Sequence, residues 1–127
     1  MGENIAKLIL RITVGGMMLF HGIHKAVHGI AGIKGMLKSQ GIPEMLAYSV
    51  YAGEILAPLF LIIGWRSRVW AAVIALNMAG ALYLAHAGEF LKLGSRGAWA
   101  VELPMFYLLS AVAIVLLGSG KYAVIRD

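Results

Sequence analysis

Four long apolar runs, separated by short clusters of charged and glycine-rich sequence, account for nearly the whole chain. They cover about residues 5–24, 43–63, 69–87 and 98–117. At about 1.5 Å of rise per helical residue, each approaches the roughly 20 residues needed to cross a hydrocarbon core. Gly15 and Gly16 lie in the middle of the first run, where small residues permit close helix contact. Residues 27–39 are too short and too basic to cross. There Ile30, Ile33, Met36 and Leu37 recur at helical spacing opposite Lys34 and Lys38, which predicts a short interfacial helix. Gly41 suits its end, and Pro43, whose missing N–H costs nothing in a first turn, suits the start of the next helix. The turn Gly64-Trp65-Arg66-Ser67-Arg68 is so short that the runs on either side must be antiparallel. The predicted fold is all-α: an integral-membrane antiparallel four-helix bundle, with a short interfacial helix after the first span, forming a single domain over residues 1–127.

Composition agrees. Of 127 residues 61% are hydrophobic and 13% charged, against about 25% charged in soluble domains. The net charge of +5 would suggest nucleic acid in a soluble protein. Here the Lys and Arg residues sit between the apolar runs and read as anchors against lipid headgroups, so the bilayer is the expected partner and nucleic acid is not. Without cysteine there is no disulfide, thiol nucleophile or cysteine-bound cofactor. The first run continues to Phe20 without an A-x-A-like site and carries Arg11, so it is expected to be a retained helix rather than a cleaved signal. One side of the membrane would hold Lys7, Arg11, Arg66, Arg68, Lys121 and Arg126; the other would hold Lys25, Lys34, Lys38, Lys92 and Arg96. The compact Arg66/Arg68 turn has no acid and is hard to translocate, which favours both termini in the cytoplasm.

Ionisable groups in hydrocarbon are costly and normally face the bundle interior. Alternating helix direction brings His21, His24 and Lys25 of the first helix, His86 of the third and Glu102 of the fourth to the outer half. Glu54 lies roughly 15 Å down the second helix and Asn77 near the middle of the third. Glu54 and Glu102 are the candidate catalytic, proton-exchanging acids, because desolvation disfavours a charged carboxylate. His21, His24, Lys25, Asn77, His86 and Trp99 complete the candidate ligand-binding set. The competing reading is that the carboxyls are satisfied by Lys25, a histidine or Arg11 and only fix helix packing. Arg11 itself is expected to snorkel to the headgroups. His21, His24 and His28 follow i, i+3, i+7 spacing but lack the further matched ligands of a metal signature, so no metal site is predicted. Tyr48, Tyr51, Tyr83, Tyr107, Trp70 and Trp99 read mostly as packing or interfacial belt residues, though a few could line a pocket for a flat ring, with Met17, Met18, Met78 and Met105 adapting to it. Nucleotide-binding, nucleophile-elbow and HExxH motifs are absent.

Several of these elements occur together in one family. Phe20-His21-Gly22-Ile23-His24-Lys25 closes the first helix, Gly41-Ile42-Pro43 opens the second, and Glu54 lies within it. Gly64-Trp65-Arg66-Ser67-Arg68 follows, then Trp99-Ala100-Val101-Glu102-Leu103-Pro104 and Gly118-Ser119-Gly120. In this order the chain resembles the DoxX family of small bacterial four-helix membrane proteins. The resemblance implies the bacterial cytoplasmic (inner) membrane, a multi-pass bundle, and a link to quinones and oxidative metabolism; a related branch forms a subunit of thiosulfate:quinone oxidoreductase. It transfers no catalytic residue, and His24 stands where the family commonly has a glutamine-like residue. The expected function is binding of a quinone, or another apolar aromatic molecule, in support of a membrane redox pathway, as a component of a quinone-linked oxidoreductase. The alternatives are a non-catalytic accessory subunit of a larger membrane redox complex and a small proton-coupled transporter, which would need a homo-oligomer.

Overall fold

The computed structural model describes residues 2–86 and 101–125. Within them the chain forms helices α1 (Gly2–His28), α2 (Ala31–Ser39), α3 (Glu44–Ile63), α4 (Ser67–His86) and α5 (Glu102–Leu117). α1 packs on α3, α3 on α4, α4 on α5, and α5 returns to α1. The elements fall near their predicted places. α1 continues one turn past Lys25, until Gly29 at φ +85° ends it, so α2 is shorter than the amphipathic pattern suggested. α5 begins at Glu102, and residues 98–100 of the expected fourth run lie outside the described part.

Among the described residues, two helices are long and apolar enough to cross a membrane by length and composition: α1 (27 residues, mean hydropathy 1.3) and α3 (20 residues, mean hydropathy 1.8). α5 is a shorter apolar helix. Along α1, Ile5, Ile9, Ile12, Phe20, Ile23 and Val27 are exposed, while Arg11, Val14, Gly15, Met18 and Gly22 are buried. Along α5, Leu103, Phe106, Leu109 and Leu116 face outward and Tyr107, Ala111 and Ile114 inward. The outward faces are thus as apolar as the inward ones, and two of the most deeply buried side chains, Arg11 and Glu54, are ionisable. Contiguous outward apolar surface of this kind is rare on a monomeric soluble domain and marks contact with a partner or a membrane.

α2 lies on the start of α3. Ile30 and Leu37 pack on Ala47, and Lys34 Nζ donates to Tyr48 Oη at 2.7 Å. That hydroxyl holds the Lys34 ammonium above its ordinary pKa.

α3 is irregular, for reasons its sequence supplies. Its first turn, Glu44–Tyr48, is 3₁₀, while Ala52–Leu56 forms a wide π turn. Pro58, four residues after Glu54, has no N–H to offer the Glu54 carbonyl, and its ring crowds that carbonyl. The helix widens there, with the Ala57 N–H donating to the Ala52 carbonyl five residues back. The Glu54 carbonyl instead lies against Gly22 of α1, where any Cβ would collide with it. On the other side, a Cβ at Gly53 would stand 2.7 Å from the Asn77 side chain. Two glycines therefore let α1 and α4 close around one acid. At its far end α3 stops at Gly64, whose φ of +81° directs its own N–H and that of Trp65 to the Phe60 carbonyl.

Candidate functional site

Glu54 is 2% exposed and sits in the π turn. Lys25 Nζ donates to its Oε2 at 2.6 Å, and Asn77 Nδ2 donates to the same oxygen at 3.1 Å. Lys25 keeps 30% of its side chain exposed. Its backbone carbonyl, in the last turns of α1, accepts a hydrogen bond from Tyr51 Oη at 3.4 Å. The acid is thus held by charge and hydrogen bonding from α1 and α4, the combination a buried carboxylate requires.

Open space borders this pair on two sides. A cavity of about 210 Å³ between α1, α4 and α5 is lined by His21, Lys25, Glu54 and Tyr107, with Met18, Met78, Ala81, Leu103 and Pro104. The His21 and Tyr107 rings meet edge to face, 5.6 Å between centroids. A second cavity, about 310 Å³, lies toward α2 and shares Lys25, Glu54 and Ala81 with the first. Chemically, the first cavity combines a cation, a carboxylate, an imidazole and a phenol with soft apolar walls. Such a set can accept or donate a proton at a ring oxygen and hold the ring face against methionine and aromatic edges.

The sequence-predicted residues divide. Glu54, Lys25, Asn77 and His21 come together. Met18 and Met78 join them, whereas Met17 is exposed. His24 does not join: it is exposed and stacks on His28 at 4.1 Å between centroids. Glu102 is exposed in the first turn of α5 and does not line the described cavities, although its neighbours Leu103 and Pro104 line the first. The side chains of His86 and Trp99 lie outside the described residues. Among the described residues, no three His, Asp or Glu side chains cluster as a metal would require. Sequence reasoning passed over Gly22 and Gly53, which admit the flanking helices, and the π turn; the signal for the last was Pro58 one turn beyond the acid.

Arg11 corrects an expectation. It does not snorkel: it is 1% exposed and lies in the first half of α1, whereas Lys25 is in its last turn. Its Nε donates to the Leu61 carbonyl at 3.0 Å and Nη2 to Ile62 at 2.9 Å, both in the last turn of α3. Nη1 donates to the carbonyls of Ser119 at 3.0 Å and Tyr122 at 2.6 Å in the C-terminal segment. Helix-terminal carbonyls lack intrahelical partners, so the guanidinium finds more in the protein than in headgroups. The same segment is tied to the α3–α4 turn by Val124 N–H to Ile63 O and Ile125 N–H to Gly64 O.

The described residues thus form an all-helical protein whose helices close around a buried ion pair beside a cavity, two of them long and apolar enough to cross a membrane. Residues 6–87 match the DoxX family model, and the chain belongs to the DoxX family. It is similar to a Bacillus subtilis (strain 168) protein named "Putative oxidoreductase CatD", with 27% identity over 91% of this chain and 81% of that protein. An uncharacterized protein of Haemophilus influenzae (strain ATCC 51907 / DSM 11121 / KW20 / Rd) is 30% identical over 90% of this chain and 84% of its own length. No solved structure matches.

Proposed function

We propose that this chain is a multi-pass protein of the bacterial cytoplasmic membrane, a four-helix transmembrane bundle that binds a quinone-like aromatic ring beside the Lys25–Glu54 pair in support of a membrane redox pathway. The observation that carries the reading is a buried ion pair forming the wall of a cavity that also holds an imidazole and a phenol. Its volume, about 210 Å³, is below the roughly 300–1,000 Å³ of sites for drug-sized ligands and suits a single ring. Glu54 is the proton partner, Lys25 the counter-charge, and His21 and Tyr107 hydrogen-bond partners for ring oxygens. The name of the Bacillus subtilis relative supports redox work.

Equilibrium binding of a tail-less benzoquinone to protein in lipid nanodiscs tests this. Saturable binding is expected, weakened about tenfold or more by Glu54→Gln, the loss expected for one hydrogen bond to a charged group. Binding untouched by both Glu54→Gln and Glu54→Leu makes the acid structural and returns the accessory-subunit reading. Both termini are placed in the cytoplasm. Ser67 in the α3–α4 turn is fully buried, so the exposed Arg68 is the position to label. An Arg68→Cys protein should resist an impermeant thiol reagent added to intact cells; labelling from outside reverses the orientation.

A further inference from the structure

Two cavities meet at one ion pair, and they differ in character. The first presents polar side chains to a ring. The second, about 310 Å³, runs from the other side of Lys25 and Glu54 between α2, α3 and α4, with Ile33, Met36, Leu46, Val50 and Leu76 among its walls. α2 roofs this space without filling it: its packing onto α3 uses Ile30, Leu37 and the Lys34–Tyr48 bond, with Ile33 partly buried against that cluster while it lines the cavity. On the α4 side stands Gly80. The missing side chains of Gly22 and Gly53 are accounted for by a neighbouring helix, whereas a Cβ at Gly80 would meet nothing within 4 Å. A glycine inside a helix costs stability, and here helix packing does not require it. Leu46 and Leu76, 55% and 74% exposed, place apolar surface at the rim of the cavity.

We propose that the second cavity is the berth of an aliphatic chain attached to the ring bound in the first, so that the ligand is a ring-headed amphiphile dissolved in the bilayer rather than a free aqueous aromatic. This rests on the function proposed above. The Lys25–Glu54 pair marks where head gives way to chain: its polar atoms serve the ring oxygens, and beyond it, past Ser49 and Asn77, the walls are mostly leucine, isoleucine, valine and methionine. Hydrocarbon in the bilayer is as apolar as these walls, so the chain adds little affinity of its own. Its location is therefore the diagnostic quantity.

Two photoaffinity benzoquinones read that location in nanodiscs, one carrying a diazirine on the ring and the other in an aliphatic chain, with adducts mapped by mass spectrometry and competed by unlabelled chain-bearing quinone. The ring probe is expected on Met78 and Tyr107, and the chain probe on Met36, Leu46 and Leu76. Gly80→Phe projects into open space and is expected to remove the chain adducts while leaving the ring adducts. Met36→Trp obstructs the same space from α2 and serves if the first variant does not fold. Chain adducts on the outward residues Phe20 and Leu109, or chain adducts that survive the blocking variant, overturn the proposal while the ring reading stands. A ring probe without competable adducts overturns both.

Discussion

Arg11 and Glu54 are buried to nearly the same degree, 1% and 2% exposed, yet the protein uses them in opposite ways. Arg11 reaches backbone carbonyls of the α3 end and the C-terminal segment. Glu54 meets side chains, Lys25 and Asn77, and has open space on either side. Side-chain partners can be removed together with the charge they satisfy, whereas backbone carbonyls stay whatever the sequence becomes. A charge held by backbone is committed to the fold. One held by side chains at the edge of a cavity remains available for chemistry.

The largest effect is expected at the arginine. Arg11→Met leaves several buried carbonyls without their donor and should cost about 3–5 kcal/mol, read as a loss of folded protein in a thermal-stability assay. Arg11→Lys should recover only part, because an ammonium cannot reproduce the guanidinium fork. A mild effect would mean that water or lipid replaces the guanidinium and that the two buried charges are alike after all.

At the other end, Lys25→Met alone should cost up to about 3 kcal/mol, the low end for a broken buried pair because the lysine is itself partly exposed. Lys25→Met combined with Glu54→Leu should be neutral or more stable than wild type by about 1–4 kcal/mol, while abolishing ring binding. A double variant as unstable as Lys25→Met would place the pair with Arg11 among the structural charges. Gly22→Ala drives a methyl into the Glu54 carbonyl and should cost about 1–3 kcal/mol, with ring binding weakened because α1 carries both His21 and Lys25. If its melting temperature is unchanged, α1 and α3 are not held at the contact seen here.

The difference between the two charges was only half visible in the sequence. Helices were legible because runs of apolar residues between glycines and charges leave little else for the backbone to do. Lys25 was recognisable as a counter-charge for Glu54 because alternating helix direction brings polar groups to the outer half of the bundle, above Glu54 near its middle. The fate of Arg11 was not legible. A long basic side chain two turns into a helix can reach out to headgroups or fold inward, and the choice depends on carbonyls some fifty and more than a hundred residues away, at |i−j| 50 and 111. Glu102, exposed among the described residues, shows the same limit: depth along a helix follows from counting residues, but rotation about its axis depends on which face the neighbours cover. The π turn could have been inferred from Glu54 and Pro58, though its contact with Gly22 could not.

That turn also sets a phase. A regular helix advances about 100° per residue, and five-residue spacing over one turn takes up one extra residue, so the sequence pattern shifts by that much between the two halves of α3 while their faces stay in place. Upstream, Ala47 faces α2; downstream, Ala57, Pro58 and Leu61 face the core. Deleting a single residue between Ala52 and Leu56 would let this turn close to regular spacing with Ala47 still facing α2, whereas the same deletion elsewhere in α3 would swing one half by about 100°. For this protein, alignment by hydropathy alone would miss a one-residue gap that decides whether the acid sits in a widened turn.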